Sequence, residues 1–173
     1  MKKIFLILIT SSLLLASCKE ETNSGTIYPG IFSFNNQEHN LANSIVEYYG
    51  LIDQKHYHKL FFLSDSIQII PTQNYYNIQG NGYVIETILK TKTQNFNGFY
   101  QVSDTSKIEL NLYYLGDKKG ENPTQTFLTG IIRIQYSEIN FSTEIEASTA
   151  SGKRLLLQYN KKPYFFNLQR SVQ

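Results

Sequence analysis

Two histidines separated by a single residue, His56 and His58, are the side chains of this sequence best suited by spacing to bind a metal ion. In an extended segment the two imidazoles would share one face, whereas on a helix they would diverge by about 200°. No cysteine and no pair of carboxylates lies nearby in the sequence to complete a zinc site. We therefore predict that both histidines face solvent, and that the protein binds no metal and no cofactor.

Glu144 and Glu146 lie two residues apart, and a pair of carboxylates can perform acid–base catalysis. Alternation with apolar neighbours places both on the solvent face of a predicted strand, which favours a solvated surface. The sequence contains no Gly-x-Ser-x-Gly elbow, no His-Glu-x-x-His motif and no phosphate-binding loop. We assign no catalytic residue, and the sequence favours a non-enzymatic protein over an enzyme.

Cys18 is the only cysteine, and it follows a charged and then an apolar N-terminal segment. Two lysines precede residues 4–15, whose roughly one dozen apolar positions are too few to span a bilayer of ~30 Å. The segment Leu15-Ala16-Ser17-Cys18 resembles the lipobox of bacterial lipoproteins. The resemblance implies cleavage before Cys18 and acylation of its sulfur and its new amino group, which together give stable membrane attachment. A short N-terminal anchor with an incidental cysteine is the alternative.

Lys19-Glu20-Glu21 follows the cysteine and resembles the surface-export tag of certain Gram-negative lipoproteins. The residue directly after Cys18 is Lys19 and not an aspartate, so the inner-membrane retention signal of this family is absent. We predict a lipid-anchored protein of the outer membrane or cell surface of a Gram-negative bacterium, although the charges also suit an ordinary tether. The predicted organisation is a signal peptide over 1–17, a polar tether over 18–40 that contains a short strand at residues 31–34, and a single domain over 41–173.

Composition limits the classes of partner. The whole chain has 16 basic and 14 acidic residues, and loss of the leader removes Lys2 and Lys3, which leaves a formally neutral protein. A neutral protein lacks the electrostatic footprint of nucleic-acid binding. No disulfide can form within the chain after Cys18. Aromatic residues make up 14% and charged residues only 17%, which indicates a globular, β-leaning domain.

The first half of the predicted domain shows helical spacing. Apolar residues at positions 41, 45, 48, 49 and 52 predict one helix, and residues 55–63 predict a second, shorter one. A short hairpin over residues 67–79 follows. Residues 83–93 then predict a third helix, although their Val, Ile and Thr also favour a strand.

Beyond residue 95 apolar and polar residues alternate with a period of two. This pattern predicts antiparallel strands with one packed and one solvated face. Short connections indicate a meander that curls over the N-terminal helices. The alternating segments are 107–114, 132–136, 141–146, 155–159 and 164–168.

This order of elements resembles the nuclear transport factor 2-like cone, which is the fold of the ketosteroid isomerases. The segments that carry the resemblance are 45–53, 59–71, Gly82, 130–134, 141–143 and 165–168. The implied fold class is α+β, with N-terminal helices packed on a curved antiparallel sheet. The alternative is a lipocalin-like β-barrel, in which residues 83–93 would be a strand and one helix would remain.

The resemblance also bears on chemistry. Ketosteroid isomerases place a general-base aspartate directly before the proline that ends the first strand. Here Ile70 precedes Pro71, and an isoleucine cannot transfer a proton. Tyr48 or Tyr49 matches the tyrosine region of the family's first helix, but a tyrosine without an acid partner is more often a core residue whose hydroxyl is satisfied.

We therefore favour a lipid-anchored, non-catalytic binding or interaction module. Its partner would be an envelope protein or a small apolar or sugar-like ligand in an aromatic-lined cavity. The predicted ligand-binding residues are Tyr49, Tyr76, Tyr114 and Tyr136. One alternative is an isomerase- or dehydratase-type enzyme of the same fold, with Asp65 or Glu109 as base. A ligand-free structural assembly lipoprotein is the other.

Overall fold

The computed structural model of the chain describes residues 28–72, 75–116 and 124–168. These residues form twelve strands and no helix, so no helix that could cross a membrane occurs among them. The strands are β1 Gly30–Phe34, β2 Gln37–Ile52, β3 Lys55–Ser64, β4 Ile67–Pro71, β5 Tyr76–Gly80, β6 Gly82–Thr91, β7 Gly98–Gln101, β8 Ile108–Leu115, β9 Gln125–Tyr136, β10 Phe141–Thr149, β11 Arg154–Tyr159 and β12 Tyr164–Asn167.

Eight strands close into an antiparallel barrel. Their order around the barrel is β1, β2, β3, β6, β8, β9, β10 and β11, and β11 pairs with β1 to complete the circuit. Successive barrel strands are neighbours, which is an up-and-down meander. The turn between β2 and β3 consists of Asp53 and Gln54, both with positive φ (49° and 63°), a backbone geometry that follows the twist of the paired strands.

The barrel interior is filled with apolar side chains from all eight strands. Phe62 and Tyr159 meet edge to face with their ring centroids 5.5 Å apart, and Phe141 packs against Tyr159 at 6.1 Å. An eight-stranded barrel is just wide enough for side chains to fill or for one small ligand to occupy. Here the side chains occupy it.

A second apolar cluster lies outside the barrel. The hairpin β4–β5 and strand β12 pack on the outer face of β2, β3, β6 and β8, where Ile45, Leu63 and Val84 are buried beneath Ile67 and Tyr76. We call this outer surface the covered wall. The outer face of β1, β9, β10 and β11 is the bare wall, because none of the described strands packs over it.

The barrel strands diverge along two seams. β2 pairs with β1 over residues 37–41 but with β12, in parallel, over residues 45–48. Across the barrel, β9 pairs with β8 only at residues 125–126 and with β7 over residues 131–134. Strands β12 and β7 therefore supply hydrogen-bond partners where neighbouring barrel strands separate.

The two ends of the barrel are distinguished by where the described chain enters. The N–H of Asn160 donates to the carbonyl of Pro29 at 2.8 Å, which fixes the start of β1 beside the turn at residues 160–163. Because the strands alternate in direction, the turns at residues 53–54 and 137–140 lie at this same end, which we call the entry end. The turns at residues 35–36 and 150–152 lie at the opposite end.

The predicted α+β cone is wrong, because all three predicted helices are strands. Residues 41–52 belong to β2, residues 55–63 belong to β3, and the third predicted helix is β6, which ends at Thr91. In β2, Leu41 lies in the barrel core while Ile45 packs in the outer cluster. Residues expected on one face of a helix therefore lie on opposite faces of a sheet.

Two features of β2 and β3 produced the helical spacing. Bulges after Leu41 and after Tyr48 shift the phase of the alternation along β2. In addition, both faces of these strands are covered, so residues 44–48 and 60–64 form continuous buried runs. Periodicity cannot distinguish such a run from a buried helix.

The lipocalin-like alternative had residues 83–93 as a strand, but the single helix that it retained is absent from the described residues. β1 and the first four residues of β2 fall inside residues 18–40, the predicted tether. The predicted signal peptide, Cys18 and Lys19-Glu20-Glu21 lie outside the described residues.

Candidate functional site

The four tyrosines predicted to bind a ligand do not surround a common cavity. Tyr49 and Tyr76 meet at the covered wall, where both bind Glu47. Tyr114 lies at the opposite end against Tyr83, with ring centroids 5.2 Å apart. Tyr136 lies at the entry end, stacked on Phe96 at 5.1 Å. Ligand binding by any of these tyrosines stays a prediction.

Glu47 is the only buried acidic residue among the residues that the structure describes. It sits on β2 beneath the β4–β5 hairpin with only 2% of its surface exposed. The hydroxyl of Tyr49 donates to its Oε2 at 2.6 Å, and the hydroxyl of Tyr76 donates to its Oε1 at 2.7 Å. A buried carboxylate is tolerated only when its oxygens are hydrogen-bonded, and here each oxygen has a tyrosine donor.

The tyrosines around Glu47 are held in their protonated form. Burial, followed by the hydrogen bond to Glu47, raises the pKa of both Tyr49 and Tyr76 well above the ordinary value near 10. Burial, with Glu86 and Glu47 nearby, raises the pKa of Tyr113 to about 12. Protonated tyrosines remain hydrogen-bond donors, so the cluster holds the hairpin to the barrel wall.

A shallow groove of about 250 Å³ lies next to this cluster, toward the entry end. It is lined by Tyr49, Lys90 and Glu109 but not by Glu47. Glu109 accepts from Lys90 Nζ at 2.9 Å on an exposed part of the wall. The carboxylate with tyrosine partners and the groove are therefore separate features, and Glu109 is engaged in an ion pair.

The histidine pair lies in an extended strand, and both rings point into the barrel. His56 Nδ1 is 2.7 Å from the hydroxyl of Tyr48. His58 is buried between Tyr48 and Phe96, with ring centroids 4.9 and 5.0 Å away, and neither ring nitrogen has a hydrogen-bond partner. Burial, followed by the nearby His56, lowers the pKa of His58 to about 4, so the ring is neutral.

The prediction that both histidines face solvent is wrong for His58, which is 1% exposed. The alternation that exposes Lys59 on the outer face of β3 necessarily turns His58 inward. Among residues 28–72, 75–116 and 124–168, no three His, Cys, Asp or Glu side chains come together as a metal site.

The opposite end of the barrel forms a polar mouth of about 400 Å³. Its floor is aromatic, since the ring of His39 stacks on Phe32 at 4.8 Å and lies 4.7 Å from Tyr83. Asp65, named as a base in the enzymatic alternative, lies at the rim. The mouth does not continue into the barrel, because the core cluster fills the space below it.

The bare wall carries a groove of about 430 Å³. Ile31 and Leu156 lie exposed within it. Arg133 pairs with Glu144 at 3.1 Å, and Arg154 pairs with Glu146. The two glutamates predicted to face solvent do so, each in a cross-strand ion pair rather than as a carboxylate pair.

Sequence reasoning missed Glu47. The available signal was a single acidic residue inside the apolar run Ile45-Val46-Glu47-Tyr48-Tyr49. In a helical projection that residue falls on a solvent-facing position, and only the placement of the hairpin over β2 shows that it is buried.

Compared with family models, with curated proteins and with solved structures, the chain has no match in any of the three. The functional conclusion therefore depends on the residues and the geometry described above.

Proposed function

We propose that this protein is a lipid-anchored envelope lipoprotein whose barrel binds no small ligand and serves to assemble with another envelope protein. The packed barrel interior is the observation that carries this proposal. The fully buried rings of Phe32, Phe62 and Tyr159 occupy the space that a ligand-binding barrel would leave open. This packing supports the structural alternative over the aromatic-lined cavity.

The enzymatic alternative has one favourable observation, the buried Glu47 beside Tyr49 and Tyr76. A general base must be able to reach the proton that it removes. Both oxygens of Glu47 already accept a hydrogen bond, and the groove nearby is not lined by Glu47. The cluster is better suited to holding the hairpin than to catalysis.

The envelope location rests on Cys18 and its neighbours. The lipobox-like segment supports diacylglycerol attachment and N-acylation at Cys18, and Lys19-Glu20-Glu21 supports the outer membrane or cell surface. The mass of the protein purified from its native envelope tests this step. We expect acyl chains on Cys18 in the wild-type protein and their complete loss in Cys18→Ala.

The bare wall is the surface proposed for assembly. Its apolar centre at Ile31 and Leu156 is bordered by the ion pairs of Arg133 and Arg154. An apolar patch with a polar rim is the usual construction of protein–protein interfaces. The covered wall cannot serve in the same way, because the protein's own hairpin occupies it.

A fluorescent apolar probe tests the packed interior. The wild-type barrel should not bind 1-N-phenylnaphthylamine, whereas Phe62→Ala, which opens a cavity in the core, should bind it. Leu156→Ala is the matched control, because it removes an exposed side chain and leaves the core intact. Stoichiometric probe binding by the wild-type protein would contradict the ligand-free proposal.

Photocrosslinking in the native envelope tests the assembly surface. A photoreactive amino acid at Leu156, on the bare wall, should crosslink to one reproducible protein partner. The same amino acid at the exposed Asn77, on the hairpin over the covered wall, is the control. Equal crosslinking at both positions would show that the bare wall has no special role.

A further inference from the structure

Apolar side chains are exposed at the turns of the entry end. Ile139, in the turn between β9 and β10, is 83% exposed, and Leu51, beside the turn between β2 and β3, is 62% exposed. Ile52, also beside that turn, is 42% exposed. Single exposed apolar residues are ordinary. These three, however, lie in or beside two turns that both project from the entry end of the barrel.

The same end has an excess of positive charge. The described residues as a whole carry ten basic and ten acidic side chains. Residues 51–56, 92–107, 137–140 and 160–163, which form the entry end, carry five lysines and three acidic residues. The entry end therefore has a net charge of +2 and the rest of the described chain −2, which favours an anionic surface beyond the entry end.

Two hydrogen bonds bring together the turn that carries Ile139, the turn that carries Lys162 and the incoming chain. Lys162 Nζ donates to the carbonyl of Glu138 at 3.0 Å, which places the turn at residues 160–163 beside Ile139. The N–H of Asn160 donates to the carbonyl of Pro29 at 2.8 Å. The chain that arrives from Cys18 thus joins the barrel next to Ile139 and Lys162.

We propose that the entry end is a membrane-contact surface that rests on a phospholipid bilayer with anionic headgroups. Ile139 and Leu51 enter the headgroup region, and Lys161 and Lys162 approach lipid phosphates. This inference rests on the proposed lipid anchor at Cys18. The ten residues from there to Tyr28 span at most about 35 Å, so the anchor holds the barrel near the bilayer, and its attachment point makes the entry end the nearest part.

The absence of tryptophan from the chain allows a direct test. Ile139→Trp gives a sole tryptophan at the entry end, and Ala150→Trp gives one at the exposed turn of the opposite end. The chain from Cys18 to Gln173 is coupled through its single thiol to a maleimide lipid in vesicles that contain anionic and brominated phospholipids. Chemical coupling makes the test independent of acylation in the cell.

We expect the emission of Ile139→Trp to fall by roughly half and to shift to shorter wavelength, because an interfacial side chain lies about 5–10 Å into the bilayer boundary. Ala150→Trp should be unaffected. Leu51→Trp serves as a second, independent reporter and should behave like Ile139→Trp.

Equal quenching at residues 139 and 150, or none at residues 51 and 139, would overturn the membrane-contact proposal. A protein partner that covers the entry end instead would give the second of these results. Failure of the anchor is seen separately, as an unacylated Cys18 in protein from the native envelope. A positive vesicle result with an unacylated native protein would retain the contact surface and remove the anchor.

Discussion

The covered wall and the bare wall belong to one barrel but differ in how deeply their outward-facing side chains are buried. On the bare wall, exposed Arg133 and Glu144 alternate with buried Ile132 and Ile145, and the ion pair faces solvent. On the covered wall, Leu63 and Glu47 are as deeply buried as core residues, although they point away from the barrel. Whether one face of a sheet is buried or exposed therefore depends on what packs on it and not on the strand alone.

The largest expected difference between the walls is in stability. Leu63→Ala, beneath the hairpin, should lower the free energy of unfolding by about 3 kcal/mol, because it leaves a cavity in a packed cluster. The matched substitution Leu156→Ala, on the bare wall, should cost less than about 1 kcal/mol, because the side chain is already 41% exposed. Urea denaturation of both variants measures the contrast, and equal losses would show that the hairpin does not seal the covered wall.

The interior surfaces behind the two walls differ in their response to acid. His58 projects from β3 behind the covered wall, whereas β9, β10 and β11 behind the bare wall contribute no buried titratable group except Tyr159. The pKa of His58 is lowered from 6.5 to about 4 in the folded protein, so the unfolded state binds a proton first as the pH falls. The contribution of neutral His58 to stability is therefore fully present above about pH 7 and is lost between about pH 6.5 and 4, by up to about 3 kcal/mol.

His58→Leu is the control for this acid response, because it fills the site with a group that does not titrate. Denaturation at pH 7 and pH 4 should show a smaller loss of stability in the variant than in the wild type. If both proteins lose the same stability, His58 is protonated at a nearly ordinary pH and its burial has no energetic consequence.

The hydrogen bonds to Glu47 should contribute to the free energy of unfolding, and the bare wall has no buried carboxylate that makes a similar contribution. Tyr76→Phe removes the donor to Oε1 and leaves a buried carboxylate oxygen without that partner, at a cost of about 2 kcal/mol. Tyr75→Phe is the matched control, since Tyr75 is exposed next to the same hairpin, and it should cost less than about 0.5 kcal/mol. A small effect of Tyr76→Phe in chemical denaturation would mean that water replaces the lost donor.

The smallest effect is expected at the ion pairs of the bare wall. Arg133→Ala should change the free energy of unfolding by only about 0.2–1 kcal/mol, because Arg133 and Glu144 are both more than half exposed. The change should shrink further in high salt. A loss as large as that of Tyr76→Phe, unaffected by salt, would show that the bare wall is more strongly organised than its exposure suggests.

The success of sequence-based prediction differs between the two walls, although residues 107–114 on the covered wall also alternate and form β8 as predicted. Residues 141–146 and 155–159 alternate cleanly, because one face meets the core and the other meets water, and they are strands as predicted. Residues 41–52 carry two bulges and a covered outer face, and they were wrongly predicted to be helical. Alternation is visible in a sequence only where a strand has one dry face and one wet face.

The candidate sites show the same limits. The solvent-facing Glu144 and Glu146 were predicted correctly from their phase within a regular strand. The prediction that His56 and His58 face solvent failed for His58, because their segment was predicted to be helical but is the extended strand β3, which turns both rings inward. Glu47 and Tyr76 are 29 residues apart, and no local pattern indicates that a hairpin folds back to join them.

The sequence by itself determined the lipobox-like segment at Cys18, the lack of any familiar catalytic motif and the strands of the second half, since each is a local pattern of residue types. The tertiary structure decided that the chain closes as a barrel, that its aromatic residues fill the interior, and that Glu47 is buried by a hairpin. These features depend on which distant strands pair and which faces become covered, and such long-range contacts leave no fixed spacing in the sequence.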